Sequence, residues 1–173
     1  MNFIKTFVIT LVIYLGLNTV FTLFAVFMVP GFPATDIMFI ITTIFAPIFT
    51  FPGDAWTTSG ILPLLATTDI LTDLMMFLGL ILPPLIAVIV ASFLGDSNKT
   101  AFGAWLTTAL LSSVVYAILL GVGQLSSAYL AIDWFGKVVT YGELGTILVI
   151  FIAGIVNGFF YGCVAYIISK AGL

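Results

Sequence analysis

Apolar positions run together along this chain in long blocks, and the polar ones gather in the stretches between them. The first block spans residues 6–29, carries no charge, and ends at Pro30-Gly31; others follow at about 74–94, 101–124 and 145–169. Each exceeds the roughly 18 consecutive apolar residues that a helix needs to cross a hydrocarbon core. The pattern predicts an all-α integral membrane protein of one domain, residues 1–173, with four transmembrane helices in a compact bundle. The first block is also longer than the roughly 7–15 residues of a signal-peptide core and lacks a convincing cleavage site, so it is expected to stay as a span.

Two stretches between the blocks are harder to place. Residues 37–51 would reach only about 22 Å as a helix and are interrupted by Pro47, so a short interfacial or re-entrant apolar segment is expected there. Trp56, just beyond, fits an aromatic anchor at headgroup level. Residues 125–144 hold Tyr129, Asp133, Trp134, Lys137, Tyr141 and Glu143 and read as an amphipathic loop on the membrane surface.

Local signals punctuate the spans. Thr67-Thr68-Asp69 looks like a helix N-terminus, with Thr68 or Asp69 as cap and Asp73 in the first turn. Pro83-Pro84 should kink the second span, because each proline removes a ladder hydrogen bond. Small residues recur at four-residue spacing on three spans: Gly79, Pro83, Ala87, Ala91 and Gly95; Ala109, Ser113, Ala117 and Gly121; Gly154, Gly158 and Gly162. Residues four apart share a helix face, so these stripes let backbones approach closely where lipid offers no hydrophobic drive to association. The glycine triplet reads as a glycine zipper, within the chain or between chains.

Composition narrows the chemistry. Hydrophobic residues make up 62% of the chain and charged residues 6%, with a mean hydropathy of +1.34. There is no histidine, and the four basic residues are all lysines. The lack of histidine removes imidazole relays, the commonest zinc sites and Ser-His-Asp triads, and the lack of a basic patch removes the footing for nucleic acid. No catalytic group, cofactor or metal site is expected, and Cys163 beside Gly162 reads as a small packing residue.

Four polar residues remain candidates for a path or an outer-mouth site. Asn18, with Tyr14 and Thr22 on the same face, and Asn157 lie near the middle of the first and last spans, either as interhelical glue or as the lining of a polar path. Asp69 and Asp73 share a face at the start of the second span, where they could attract a cation or simply complement the helix dipole. Four lysines favour both termini in the cytoplasm of a multi-pass cell-membrane protein, with Lys5, Lys99 and Lys170 inside and Lys137 outside.

The functional expectation is a non-enzymatic membrane protein. The first reading is a small helix-packing subunit of a larger complex, whose partners are the lipid bilayer and other membrane subunits or further copies of itself. The alternative is a small-solute channel or transporter component with a polar path near Asn18 and Asn157.

Overall fold

The computed structural model describes residues 2–66 and 69–170, apart from the Lys170 side chain. Among the described residues there is helix and no strand: α1 (Phe3–Met28), α2 (Ile37–Phe45) running into a 3-10 turn (Ala46–Phe49), α3 (Pro52–Trp56), α4 (Ile61–Ala66), α5 (Ile70–Leu94), α6 (Asn98–Gly123), α7 (Ala128–Tyr141) and α8 (Glu143–Lys170). Four of these, α1, α5, α6 and α8, are long and apolar enough to cross a membrane, the mark of a multi-pass membrane protein.

Each long helix begins a few residues before its apolar block, because polar residues at the boundary satisfy first-turn N–H groups. The Asn2 side chain accepts from Lys5 N at 3.2 Å, Asp69 from Thr72 N at 3.3 Å, and Ser97 from Thr100 N at 3.2 Å. Asp69 thus takes the cap position, Asp73 follows in the first turn, and Thr67 and Thr68 lie outside the described residues.

The long helices alternate in direction. Phe21 of α1 meets Gly79 of α5, Phe3 of α1 meets Gly103 of α6, and Ser92 of α5 donates to the Ala165 carbonyl of α8 at 2.9 Å. Those contacts put the ends of α1 and α6 with the starts of α5 and α8 at what is here called the upper end. The most extensive contact joins α6 to α8.

The expected kink in α5 does not break it. The helix continues through Pro83 and Pro84, both buried, and its neighbours on both sides hold it in place. The prolines still act locally: Gly79 and Leu80 lose the N–H groups that would bond their carbonyls one turn on.

Residues 128–141 differ more from expectation, being a 14-residue helix and not a loop. Ser127 caps α7 by accepting from Leu130 N at 3.2 Å, and Gly142 ends it at a positive φ of +74° that glycine adopts without the clash a Cβ would bring. Its faces are inverted relative to a helix at a protein–water boundary. Ile132, Phe135 and Val139 are 72, 67 and 70% exposed, while Leu130 is buried and Lys137 turns inward to pair with Asp133 and lie 4.9 Å over the Phe49 ring. Charge facing in and hydrocarbon facing out is what a lipid surrounding selects.

Candidate functional site

The 3-10 turn at Ala46–Phe49 is where the interior of the protein converges. It ends the first of two arms, residues 37–49 and 52–66, which are bent by 96° to one another. Proline explains the break. Pro52 has no N–H, so the Ile48 carbonyl loses the donor that a continuous helix would have given it. Asn157, midway along the 28 residues of α8, supplies it instead. Its Nδ2 donates to Ile48 O at 2.9 Å, Thr50 O at 3.1 Å and, on its own helix, Ala153 O at 3.0 Å. Irregular backbone away from water is stable only with such partners.

Other side chains of the turn engage other helices. Phe49 packs against Tyr116 of α6 with ring centroids 6.2 Å apart, and Tyr116 donates to Asp133 of α7 at 3.3 Å. The upper end of the first arm is fixed as well, since Ser127 donates to the Asp36 carboxylate at 2.6 Å. That hydrogen bond, helped by those from the Phe39 and Met38 backbone, holds the Asp36 carboxyl below the ordinary carboxylate range.

Trp105 of α6, fully buried, braces the same level of the bundle. Its Nε1 donates to the Asn157 carbonyl at 3.0 Å, and Tyr14 and Tyr161 meet its ring edge-on at 5.3 and 5.8 Å. Each such aromatic pair contributes about 0.5–1.5 kcal/mol beyond area burial.

On the far side of the turn lies a cavity of about 100 Å³ between α1, the first arm and α5. Pro47 and Thr43 form one wall, Gly79 and Leu80 another, and Asn18 with Thr22 a third. Asn18 is 1% exposed, and neither its Oδ1 nor its Nδ2 has a hydrogen-bond partner among the described residues. The Tyr14 hydroxyl, one turn away, faces the amide without closing a bond of normal geometry.

Asn18 belongs to a longer feature of α1. The buried residues of that helix are Thr6, Thr10, Tyr14, Asn18, Thr22 and Ala25, so its polar side faces in and its aliphatic side faces out. Thr10 bonds back to the Thr6 carbonyl at 2.7 Å and Thr6 to Asn2 O at 3.1 Å. Thr6 and Thr10 escaped the sequence reading, although they continue the four-residue spacing of Tyr14, Asn18 and Thr22.

The two asparagines therefore flank one turn without sharing a cavity, for Asn157 does not line the space beside Asn18. Asp69 and Asp73 stay at the start of α5, and among the described residues no three acidic or cysteine side chains gather as a metal site.

The small-residue stripes are placed as follows. A Cβ on Gly154 would come within 2.6 Å of Ser113 Cβ, one on Gly158 within 2.6 Å of Leu106 Cδ1, and one on Gly162 within 3.0 Å of Phe102. All three glycines face α6 of the same chain. Ala109 and Ser113 are buried at this contact, whereas Ala117 and Gly121, nearer the upper end, are half-buried along a shallow groove. Gly79 touches Phe21, and Ala87 and Ala91 are fully buried in the interior. Cys163 is exposed on α8, so it does not fill an internal gap as the sequence suggested.

No protein-family model matches the chain, and neither a curated protein nor a solved structure matches it.

Proposed function

We propose that this chain is a non-enzymatic component of the cell membrane that binds a small solute within its bundle, of the channel or transporter-component class. The observation that carries this reading is the arrangement around the turn at Ala46–Phe49. A helix broken by Pro52 is seated on Asn157 at mid-length of α8, and on its other side a cavity holds an unpartnered buried amide. Membrane solute binders place broken helices and irregular backbone beside cavities in this way. In this reading residues 37–66 form a re-entrant hairpin entering from the upper end. Lys5 and Lys99 flank the lower end, which by the positive-inside rule faces the cytoplasm together with both termini.

The complex-subunit reading loses ground because the glycine face of α8 is taken up by α6 of the same chain. One observation still favours it. The returning arm exposes Asp54, Thr57, Thr58 and Ser59 a few residues past the turn, and although the Thr57 and Thr58 hydroxyls bond within the arm, a surface carrying the Asp54 charge suits a partner's polar groups better than lipid.

The deciding experiment purifies the chain in mild detergent, measures the mass of the particle, and screens its thermal unfolding against a library of small solutes. A lone monomer or small homo-oligomer stabilised by a defined solute set supports solute binding. A heavy particle with defined co-purifying proteins and no solute response overturns it in favour of the subunit reading.

A further inference from the structure

We infer that the cavity beside Asn18 takes a small uncharged molecule in which a carboxamide, or an equivalent donor–acceptor pair, is carried on an apolar body about the size of one ring. This rests on the solute-binding reading and names its ligand class.

The amide is the first reason. A buried polar group without a partner keeps the cost of its lost water, and native proteins hold few of them. Asn18 leaves both ends of its amide unmet, an acceptor and two donor hydrogens. The chain's own solution elsewhere shows what is missing here. Asn157 closes on Ile48, a carbonyl freed by proline. Gly79 and Leu80 also have carbonyls deprived of their helical donors, by Pro83 and Pro84, and both residues line the cavity, yet Asn18 bonds to neither. A ligand bringing both an N–H donor and a carbonyl acceptor complements the Asn18 amide, which offers both; a ketone or ether supplies no donor.

The walls are the second reason. Phe21, Phe24, Phe32, Met75 and Met76 face the space, and no ionisable side chain lines it. A charged ligand would have no counter-charge to offset its desolvation. Aromatic rings and thioethers suit a flat, polarisable body. The volume of about 100 Å³ approaches the ~150 Å³ of an apolar cavity known to admit benzene, and Met76, 50% exposed, stands at a rim that leaves room for a substituent.

Benzamide, benzoate and toluene form a matched probe set: neutral donor–acceptor, charged and purely apolar. Their affinities for the detergent-purified full chain are measured by equilibrium dialysis, alongside thermal unfolding. Benzamide is expected to bind at least about tenfold more tightly than either of the others. Asn18→Leu should erase the benzamide advantage while toluene binding stays within about threefold. Met76→Trp, at the exposed rim and independent of Asn18 folding correctly, should weaken benzamide at least about tenfold by closing the mouth. Equal binding of benzamide and benzoate, or a benzamide preference that survives Asn18→Leu, overturns the ligand class. A charged solute that stabilises the wild type and ignores Asn18→Leu does so too, while leaving the solute-binding reading intact. If none of the three probes binds and Asn18→Leu simply melts higher, the cavity holds water only and the inference falls. The solute-binding reading falls with it only if the wider screen is also blank.

Discussion

The Asn157 amide reaches the Ile48 carbonyl at 2.9 Å across 109 residues of sequence and, at 3.1 Å, the Thr50 carbonyl beside it. One side chain thereby fastens the break in an otherwise helical arm to the middle of α8. The amide nitrogen has two hydrogens for three carbonyls, Ala153 included, so at least one bond is shared.

Replacing that side chain tests how much the turn depends on it. Asn157→Leu leaves two carbonyls of the turn without that donor and should cost roughly 2–6 kcal/mol in detergent unfolding, at about 1–3 kcal/mol for each unmet acceptor. Asn157→Asp keeps the shape and removes the donors, so it should be about as damaging. If the aspartate variant unfolds like wild type, shape and not hydrogen bonding seats the turn.

Two serines on neighbouring helices make a matched comparison. Ser92 donates to the Val88 and Ala165 carbonyls at 2.7 and 2.9 Å, whereas the Ser112 hydroxyl is buried with no partner among the described residues. Ser92→Ala should destabilise by about 1 kcal/mol, and Ser112→Ala should be neutral or stabilise by up to ~1 kcal/mol. Reversed signs in denaturation of the two variants would contradict the hydrogen-bond pattern.

Glycine substitutions should separate close approach from mere helix preference. Gly154→Ala forces its new methyl onto Ser113 and should destabilise by about 1–3 kcal/mol. Gly136 in α7 has nothing within 4 Å, so Gly136→Ala should gain up to ~1 kcal/mol from helix propensity alone. Comparable melting of both variants would mean that α6 and α8 do not meet at Gly154.

Acid should loosen the upper end. Ser127 and the Phe39 and Met38 N–H groups lower the Asp36 pKa below its ordinary 3.8, so the carboxylate adds stability above its unfolded-state value. That contribution disappears as pH falls through the lowered folded-state value. Unfolding followed from pH 6 downward should show an acid limb that is flattened in Asp36→Asn and displaced upward in Ser127→Ala. An acid limb identical in all three proteins would remove Asp36 from the account.

The sequence made the four long helices plain because each carries a continuous apolar block, and hydropathy needs no knowledge of neighbours. It made α7 obscure. With Asp133 and Lys137 facing in and Ile132, Phe135 and Val139 facing out, the usual rule of charge outward leads to a loop on the surface. Asn18 was singled out for its depth, but the space beside it depends on how α1, α5 and Pro47 stand apart, a distance that no periodicity encodes. Asn157 was equally visible as a polar residue at mid-span. Its partners are backbone carbonyls more than a hundred residues away, and backbone leaves no trace in side-chain pattern; only Pro52, which frees one of them, hinted at the need.

The inward polar seam of α1 bears on how the protein is made. This helix is synthesised before α2, α5 and α6, the elements that pack against its buried side at Thr6, Thr10, Tyr14 and Asn18. Until they arrive, α1 rests in the bilayer with its Thr6 and Thr10 hydroxyls bonded to its own backbone and its Tyr14 hydroxyl and Asn18 amide facing hydrocarbon. Its insertion and its docking are therefore separate events, and the interval between them is when a membrane chaperone would have something to hold.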